Sequence, residues 1–430
     1  MTDFNSLGLA SALTKTLQQN GFTAPTPIQD QAIPLALEGH DIMGLAQTGT
    51  GKTLAFGLPL MDKLLRIHGK PESKTVRALV LAPTRELVNQ IADSLRTFTK
   101  QTPIKVNTVV GGQSIGRQIA MLNRGTDILV ATPGRLIDLM ERNAVKLETV
   151  RFLVLDEADQ MLDLGFIHAL RKIAPKLGQP RQTMLFSATM PKQMEEISRA
   201  YLTDPKRVQV AQSGKAADKV TQSVHFLDKG QKTSALREIL SKDLSAPTIV
   251  FARTKHGAEK LMKQLVKDGY NAASIHGNKS QSQRDRAIKA FRDGETTVLV
   301  ATDVAARGID IPGVAYVINY ELPDTPENYV HRIGRTARAG LEGEAIAFCS
   351  SDEMGQLRQI EKVMKISIPV AEGSGPAPKA TAPAKPNGRG GKNRGGAKSR
   401  NHGERNARTA ERPPNRKPRR TRRKRTAAAA

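Results

Sequence analysis

The chain has no tryptophan, five tyrosines and eleven phenylalanines, so aromatics make up 4% of its 430 residues. Proteins that read single-stranded nucleic acid by stacking its bases need aromatic platforms, and few are available here. The single cysteine, Cys349, excludes an internal disulfide framework. It sits in the apolar run AIAFCS, reads as a core thiol, and fits a reducing, cytoplasmic compartment. No charge-free run of about 18 apolar residues occurs, so no membrane span is expected. The stretch MTDFNSLGLA lacks a basic start and an apolar stretch behind it, so no secretory signal is expected.

Positive charge is plentiful. There are 66 Lys and Arg against 41 Asp and Glu, a formal net charge of +25. Residues 371–430 hold 18 of the former and 3 of the latter, which leaves 48 and 38 for residues 1–370. A mildly basic body with a strongly basic tail implies a polyanionic partner. Cations without aromatics grip the phosphate backbone more than the bases. The tail is rich in Ala, Pro, Gly, Lys and Arg, cannot bury enough surface to offset its ordering entropy, and is expected to be disordered over 371–430.

Between these ends, short apolar runs alternate with helical stretches. ALVLA (78–82), VNTVV (106–110), DILVA (127–131), FLVLD (152–156) and QTMLFSA (182–188) read as strands of a parallel sheet covered by helices. The pattern restarts after about residue 205 with TIVFA (248–252), NAASIHG (271–277), TVLVA (297–301), AYVINY (315–320) and EAIAFCS (344–350). Ala82 and Ala131 lie 49 residues apart, as do Ala252 and Ala301, at matching strand ends. The reading is a duplication: two α/β domains, 1–205 and 220–370, joined by a linker over 206–219.

Two stretches carry chemistry. Ala46-Gln47-Thr48-Gly49-Thr50-Gly51-Lys52-Thr53 is a glycine-rich phosphate loop with Ala where the strict pattern has Gly. Its backbone N–H groups would curl around phosphate oxygens, Lys52 would reach the β/γ-phosphates and Thr53 would share Mg²⁺. About a hundred residues on, the strand Phe152–Leu155 runs into Asp156, Glu157 and Asp159. Ligands of open α/β sheets sit beyond such strand ends. Asp156 would hold a hydrated Mg²⁺ and Glu157 would polarise an attacking water. The alternative for the acidic pair is a solvated turn or the cap of the next helix.

These motifs, in this order and spacing, resemble the DEAD-box RNA helicases over residues 4 to about 340, and the body most resembles the bacterial RhlE-type subgroup. The resemblance implies two RecA-like parallel-sheet domains in tandem, ATP and Mg²⁺ as cofactors, and RNA as a partner bound without sequence preference. It implies an ATPase whose domain closure separates short duplexes. About six base pairs cost roughly 8 kcal/mol to open, which suits local, non-processive action. Gly21-Phe22-Thr-Ala-Pro-Thr-Pro-Ile-Gln29 resembles the Q motif, with Gln29 pairing with adenine and Phe22 stacking on it. Phe4 fits the isolated upstream aromatic. Pro83, Thr84, Arg85, Gly112, Thr132, Gly134 and Arg135 resemble RNA contacts of the first domain. Arg253, Thr254, Gly277, Arg284 and Thr302 resemble those of the second. Asp159, Ser187, Thr189, Asp303 and His331 resemble groups that couple the two ligands. Gly308 and Asp310 would approach the nucleotide.

Arg335 and Arg338, in His331-Arg-Ile-Gly-Arg-Thr-Ala-Arg338, resemble arginine fingers; their i, i+3 spacing would place them on one helical face, and a solvated basic face is the alternative. The family's usual Gly is Ala337 here. The basic tail reads as an RNA anchor, with nuclear localisation or protein docking as alternatives. The rival to a helicase is an ATP-gated RNA clamp or annealing chaperone dominated by its tail. A monomer acting in ribosomal or RNA-decay complexes is expected.

Overall fold

The computed structural model describes residues 3–46, 49–190, 192–210, 220–306, 311, 313–337 and 342–371. Among the described residues thirteen strands form two sheets. The first contains β1 (Ile42–Leu45), β2 (Val76–Leu81), β3 (Val106–Val109), β4 (Thr126–Ala131), β5 (Phe152–Leu155), β6 (Gln182–Ser187) and β7 (Lys206–Gln209). The second contains β8 (Val220–Phe226), β9 (Thr248–Phe251), β10 (Ala272–Ile275), β11 (Val298–Ala301), β12 (Tyr316–Asn319) and β13 (Gly343–Cys349). Every pairing between named strands is parallel.

The first sheet runs β3-β4-β2-β5-β6-β1-β7 and the second β10-β11-β9-β12-β13-β8. Without β7 the two orders are the same permutation of chain order, so the expected duplication is visible in the topology. The details repeat as well. The Ala82 N–H donates to the Ala131 carbonyl at 3.0 Å, and that of Ala252 to Ala301 at 2.9 Å. Thr84 and Thr254 cap the helices that follow β2 and β9, accepting from Leu87 N at 3.2 Å and Gly257 N at 3.0 Å.

The central strands are buried on both faces, as parallel sheets between helices must be. Side chains alternate: Ala78, Val80 and Val154 join one hydrophobic cluster with Ile28, Phe56 and Leu95. Leu79, Leu81, Leu153 and Leu155 join another with Met161 and Ile197. Phe4 is buried in the first of these, so the isolated aromatic is a core residue. At Gly44 of β1 a Cβ would lie 2.5 Å from the Phe186 ring, so the close approach of β1 to β6 requires glycine.

Two expectations change. β7 falls inside the stretch read as linker, yet pairs with β1, and Lys206 N donates to the Asp41 carbonyl at 2.8 Å. Its sequence KRVQ buries Val208 and exposes the rest, so main-chain pairing rather than apolar patterning makes it a strand. β8 was also not foreseen: it is an edge strand in which VTQSVHF mixes apolar and polar residues. At the far boundary Val224 N donates to Pro369 O at 2.8 Å and Ala371 N to Val224 O at 2.9 Å, so the chain pairs with β8 through Ala371. Residues 211–219 and 372–430 lie outside the described residues, as do the candidate site residues Gln47, Thr48, Gly308, Asp310 and Arg338.

Candidate active site and nucleic-acid interface

The phosphate loop joins β1 to the helix Lys52–Leu65. Gly49 and Gly51 have φ of 86° and 92°, left-handed values that glycine adopts without steric cost. Lys52 opens the helix with its side chain buried; its Nζ lies 3.8 Å from Asp156 Oδ1 and has no hydrogen-bond partner among the described residues. An ammonium buried in that state is costly, and an anionic oxygen is what would satisfy it. Thr50 and Thr53 are half-buried beside it. The donor set fits a phosphate.

Asp156 leaves β5 with its N–H on the Leu81 carbonyl at 2.9 Å, and its Oδ1 accepts from Glu157 N at 3.0 Å. Burial is the main influence raising its carboxyl above the usual range; Lys52 opposes this and Glu157 adds to it. A bound divalent cation would reverse that shift. Glu157 is buried at φ 50°, immediately before the helix Ala158–Asp163. Its side chain makes no capping hydrogen bond, so the helix-cap alternative does not account for it.

Asp159 joins this site to the end of β6. Its Oδ2 accepts from Ala188 N at 3.1 Å, Thr189 N at 2.9 Å and Thr189 Oγ1 at 3.0 Å. Ser187 donates its hydroxyl to the Thr189 carbonyl at 2.7 Å, and the Ser187 carbonyl accepts from Ala46 N at 3.0 Å. A continuous path of hydrogen bonds thus runs from the phosphate loop through Ser187 and Thr189 to Asp159.

Gln29 lies in the first turn of the helix Pro27–Glu38. Its Oε1 accepts from Thr26 N at 2.9 Å and its Nε2 donates to the Gly51 carbonyl at 3.0 Å. The amide expected to read adenine therefore ties its own helix to the phosphate loop. Phe22 is 40% exposed and packs against Phe98 at 6.1 Å between centroids, leaving an accessible aromatic surface.

The expected RNA contacts of the first domain cluster at the carboxyl ends of β2, β3 and β4. Pro83, Thr84 and Thr132 are buried, whereas Gly112 and Gly134 are exposed. Gly112 has φ 74°, and a Cβ there would lie 2.2 Å from Arg85 Nη1. Arg135 donates Nη1 to the Gln113 carbonyl and to Gln118 Oε1, both at 3.1 Å. Arg85 reaches the other sheet's domain, donating Nη1 to Gln281 Oε1 at 3.0 Å. Burial is the main influence depressing its guanidinium; Glu86 opposes this, and the cations Arg284 and Arg135 add to it. Arg85 thus senses the charge of Arg135 in its own domain and of Arg284 in the other.

In the second domain Arg253 and Thr254 follow β9, and Thr302 follows β11 with its N–H on the Ile275 carbonyl at 3.3 Å. Gly277 is exposed beside buried His276, whose Nε2 lies 3.0 Å from Glu259 Oε2. Arg284 places Nη2 3.0 Å from Glu86 Oε1 and 3.2 Å from the Ala305 carbonyl. Gln281 Nε2 donates to Glu86 Oε1 at 3.0 Å. The helix Pro326–Ile333 carries His331 and ends at Gly334. Arg335 is buried past that end, with Nε on the His331 carbonyl at 3.1 Å. Arg335 thus lies past the end of this helix, and Arg338, expected beside it on one helical face, lies outside the described residues.

Three groups escaped the sequence reading. Glu86 and Gln281 bridge the two domains, Glu86 next to the expected RNA contact Arg85 and Gln281 three residues before Arg284. Arg332 is 1% exposed and holds Asp303 with two bonds, Nε–Oδ1 at 2.5 Å and Nη2–Oδ2 at 2.8 Å. It also donates to Asn319 Oδ1 and the Glu321 carbonyl and lies over the Phe251 ring at 4.9 Å. Burying a guanidinium costs several kcal/mol; these partners and the cation–π contact offset that cost. Asp303, expected to couple the ligands, is thus tied to the arginine helix. No spacing rule marks which of several arginines in a run turns inward.

Among the described residues no helix is long and apolar enough to cross a membrane. The family described as DEAD/DEAH box helicase matches residues 26–197, and the helicase conserved C-terminal domain matches residues 231–340. The RNA helicase CrhR of Synechocystis is 45% identical over 368 residues, 85% of this chain and 74% of its own. The ATP-dependent RNA helicase CshA of Listeria monocytogenes is 44% identical over 367 residues, 85% and 69% of the two chains. The solved structure of Saccharomyces cerevisiae Dbp5 bound to RNA and ADP BeF3 superposes with a TM-score of 0.75 at 31% identity, covering 86% of this chain and 96% of that one.

Proposed function

Since this chain belongs to the DEAD-box family of ATP-dependent RNA helicases, we propose that it hydrolyses ATP when bound RNA draws its two sheets together, and that closure separates short duplexes or remodels RNA–protein complexes. The observation that carries this reading is the contact of Glu86 with Gln281 and Arg284, which joins the two candidate RNA faces. Lys52 would hold the β/γ-phosphates, and Asp156 with Thr53 would hold a largely hydrated Mg²⁺. Among the described residues no group of three or more His, Cys, Asp or Glu gathers as a metal cage, which suits an ion that keeps most of its waters. That ion would neutralise charge on the phosphates.

Glu157 would orient the attacking water, and Arg335, with Arg338, would meet the γ-phosphate from the second domain. Phe22 and Gln29 would receive adenine, with Gly308 and Asp310 nearby. Asp159, Ser187 and Thr189 would pass the state of the phosphate loop to the RNA face, and Asp303 and His331 would do so in the second domain. RNA would be gripped by Pro83, Thr84, Arg85, Gly112, Thr132, Gly134 and Arg135 on one side and Arg253, Thr254, Gly277, Arg284 and Thr302 on the other. The basic tail would add phosphate contacts.

The finer RhlE-type assignment rests on sequence resemblance, whereas the relatives named above are CrhR and CshA. A monomeric, cytoplasmic helicase serving ribosomal or RNA-decay complexes completes the proposal. An assay of short-duplex separation with ATP, with a non-hydrolysable analogue and with Glu157→Gln tests it. Separation with ATP, and loss of turnover in the variant with ATP and RNA still bound, is the expected result. ATP-dependent annealing without separation would instead favour the clamp or chaperone.

A further inference from the structure

Beneath Arg253 lies a buried ion pair that the helicase motifs do not include. Lys232 opens the helix Lys232–Lys242, and Glu353 ends the short turn Ser351–Glu353 after β13; both side chains are 4% exposed. Lys232 Nζ bonds Glu353 Oε2 and also donates to the carbonyls of Tyr320 at 3.0 Å and Phe348 at 3.3 Å. Glu353 Oε2 further accepts from the N–H and hydroxyl of Ser350, at 3.2 and 2.8 Å. Its Oε1 accepts from Leu322 N at 3.1 Å and from Arg253 Nη2 at 2.8 Å. One carboxylate thus gathers the carboxyl ends of β12 and β13 and takes hold of an arginine just past β9.

Packing alone does not explain this arrangement. A buried ion pair is weak evidence for stability, because apolar residues of similar size often serve as well. An apolar pair cannot fix a guanidinium, however. Arg253 is 30% exposed and has Nη2 clamped between Glu353 and the Leu322 carbonyl at 3.2 Å. Its Nη1 has no hydrogen-bond partner among the described residues. Nε lies 3.6 Å from Asp324 Oδ1, so the side chain is held along its Nε–Nη2 side and open at Nη1, beyond the carboxyl ends of the strands where ligands bind.

We propose that Glu353, backed by Lys232, is a positioning residue for RNA: it pre-orients Arg253 so that the open edge of the guanidinium meets a backbone phosphate. This rests on the reading of Arg253 as an RNA contact. Ordering the arginine before RNA arrives lowers the entropic cost of binding. Arg253→Ala and Glu353→Gln should therefore each weaken RNA binding, and their combination should add little.

The test uses the full chain and a single-stranded uridine oligomer. It measures the half-saturating RNA concentration, kcat at saturating RNA and thermal melting for Arg253→Ala, Glu353→Gln, their combination, and Lys232→Met with Glu353→Leu. The expected result is a rise of about tenfold in half-saturating RNA for each single variant. The combination should add no more than about twofold to the loss seen in Arg253→Ala alone. The apolar pair also strands the Leu322 and Ser350 N–H groups, so it should melt lower, and well below that melting temperature it should show the same loss of RNA affinity. Normal RNA affinity in the apolar pair, or additive losses in the combination, would reduce Glu353 to a structural role and overturn the proposal alone. Unchanged RNA affinity in Arg253→Ala would overturn the underlying reading of Arg253 and the proposal with it.

Discussion

Thr189 gives both its hydroxyl and its main-chain N–H to one oxygen of Asp159, at 3.0 and 2.9 Å. With the Ala188 N–H at 3.1 Å, three donors converge on that oxygen. Hydrogen bonds to a charged acceptor are each worth about 1.5–3 kcal/mol, so the end of β6 is locked to the helix after β5. Thr189→Val removes one donor and keeps the shape. We expect ATP hydrolysis to fall by less than about threefold, and duplexes separated per ATP to fall by about tenfold. An unchanged number of duplexes separated per ATP would confine the contact to the chemical step.

Gln281 spans the two domains with a bond to Arg85 and another to Glu86. Losing both costs about 2 kcal/mol, a shift of roughly 30-fold in the closure equilibrium. Gln281→Ala should therefore lower RNA-stimulated kcat and leave RNA-free hydrolysis unchanged. Cys349 is fully buried, so a pair of added surface cysteines can be labelled selectively. Donor–acceptor distances measured with RNA and ATP should show a smaller closed population, and an unchanged population would remove Gln281 from closure.

Ala337 has φ 53°, a left-handed value that costs a residue with a Cβ about 1–2 kcal/mol. Ala337→Gly relieves this strain and gives part of the gain back through a looser unfolded chain. A rise in melting temperature of a few degrees is expected. Gly343→Ala should do the opposite, because its Cβ would lie 1.9 Å from Thr336 Oγ1. If Ala337→Gly lowers the melting temperature, the strain argument fails.

The Glu259 carboxyl is held down to about 2, chiefly by hydrogen bonds from His276 and Lys279, with Ser274 contributing. Its folded value lies below the ordinary one, so the stability it confers is complete above about pH 4.5. That contribution is lost as the pH falls toward 2. The melting temperatures of the wild-type chain and Glu259→Gln should differ at pH 6 and converge as the pH is lowered to 3. A constant difference would mean that the cluster does not titrate with folding.

Gln29→Ala frees the Gly51 carbonyl as well as removing a candidate adenine partner. Binding of both ATP and inorganic triphosphate should weaken, ATP by at least about threefold more, since an amide can pair with adenine N6 and N7. Equal losses in a calorimetric titration would leave Gln29 with the loop-holding role alone.

The sequence was most informative where residue type and backbone need coincide. The glycines of the phosphate loop and the acids after Phe152–Leu155 announce themselves, because few other residues could serve there. The central strands were legible because burial on both faces demands unbroken apolar runs. β7 and β8 were hidden because edge strands are defined by main-chain pairing, to which polar residues contribute as readily as apolar ones. Glu86, Arg332 and Glu353 were hidden for a different reason. Each is a charge whose role depends on a partner that only the fold brings close, 198 residues away for Glu86 and Arg284. Gln29 shows the converse: its motif was plain, but the amide is bound to the loop carbonyl.

The parallel register of β5 on β6, Leu155 against Leu185, fixes how far each strand projects beyond the sheet. Asp159 lies four residues past Leu155 and Thr189 four past Leu185, so the register acts as a ruler that brings them level. A one-residue slip would displace one end by about 3.3 Å and turn its side chains to the other face. The three bonds to Asp159 would then be out of reach. Insertions in surface loops elsewhere should be tolerated, whereas inserting or deleting a single residue within β6 would misalign the phosphate loop and the RNA face.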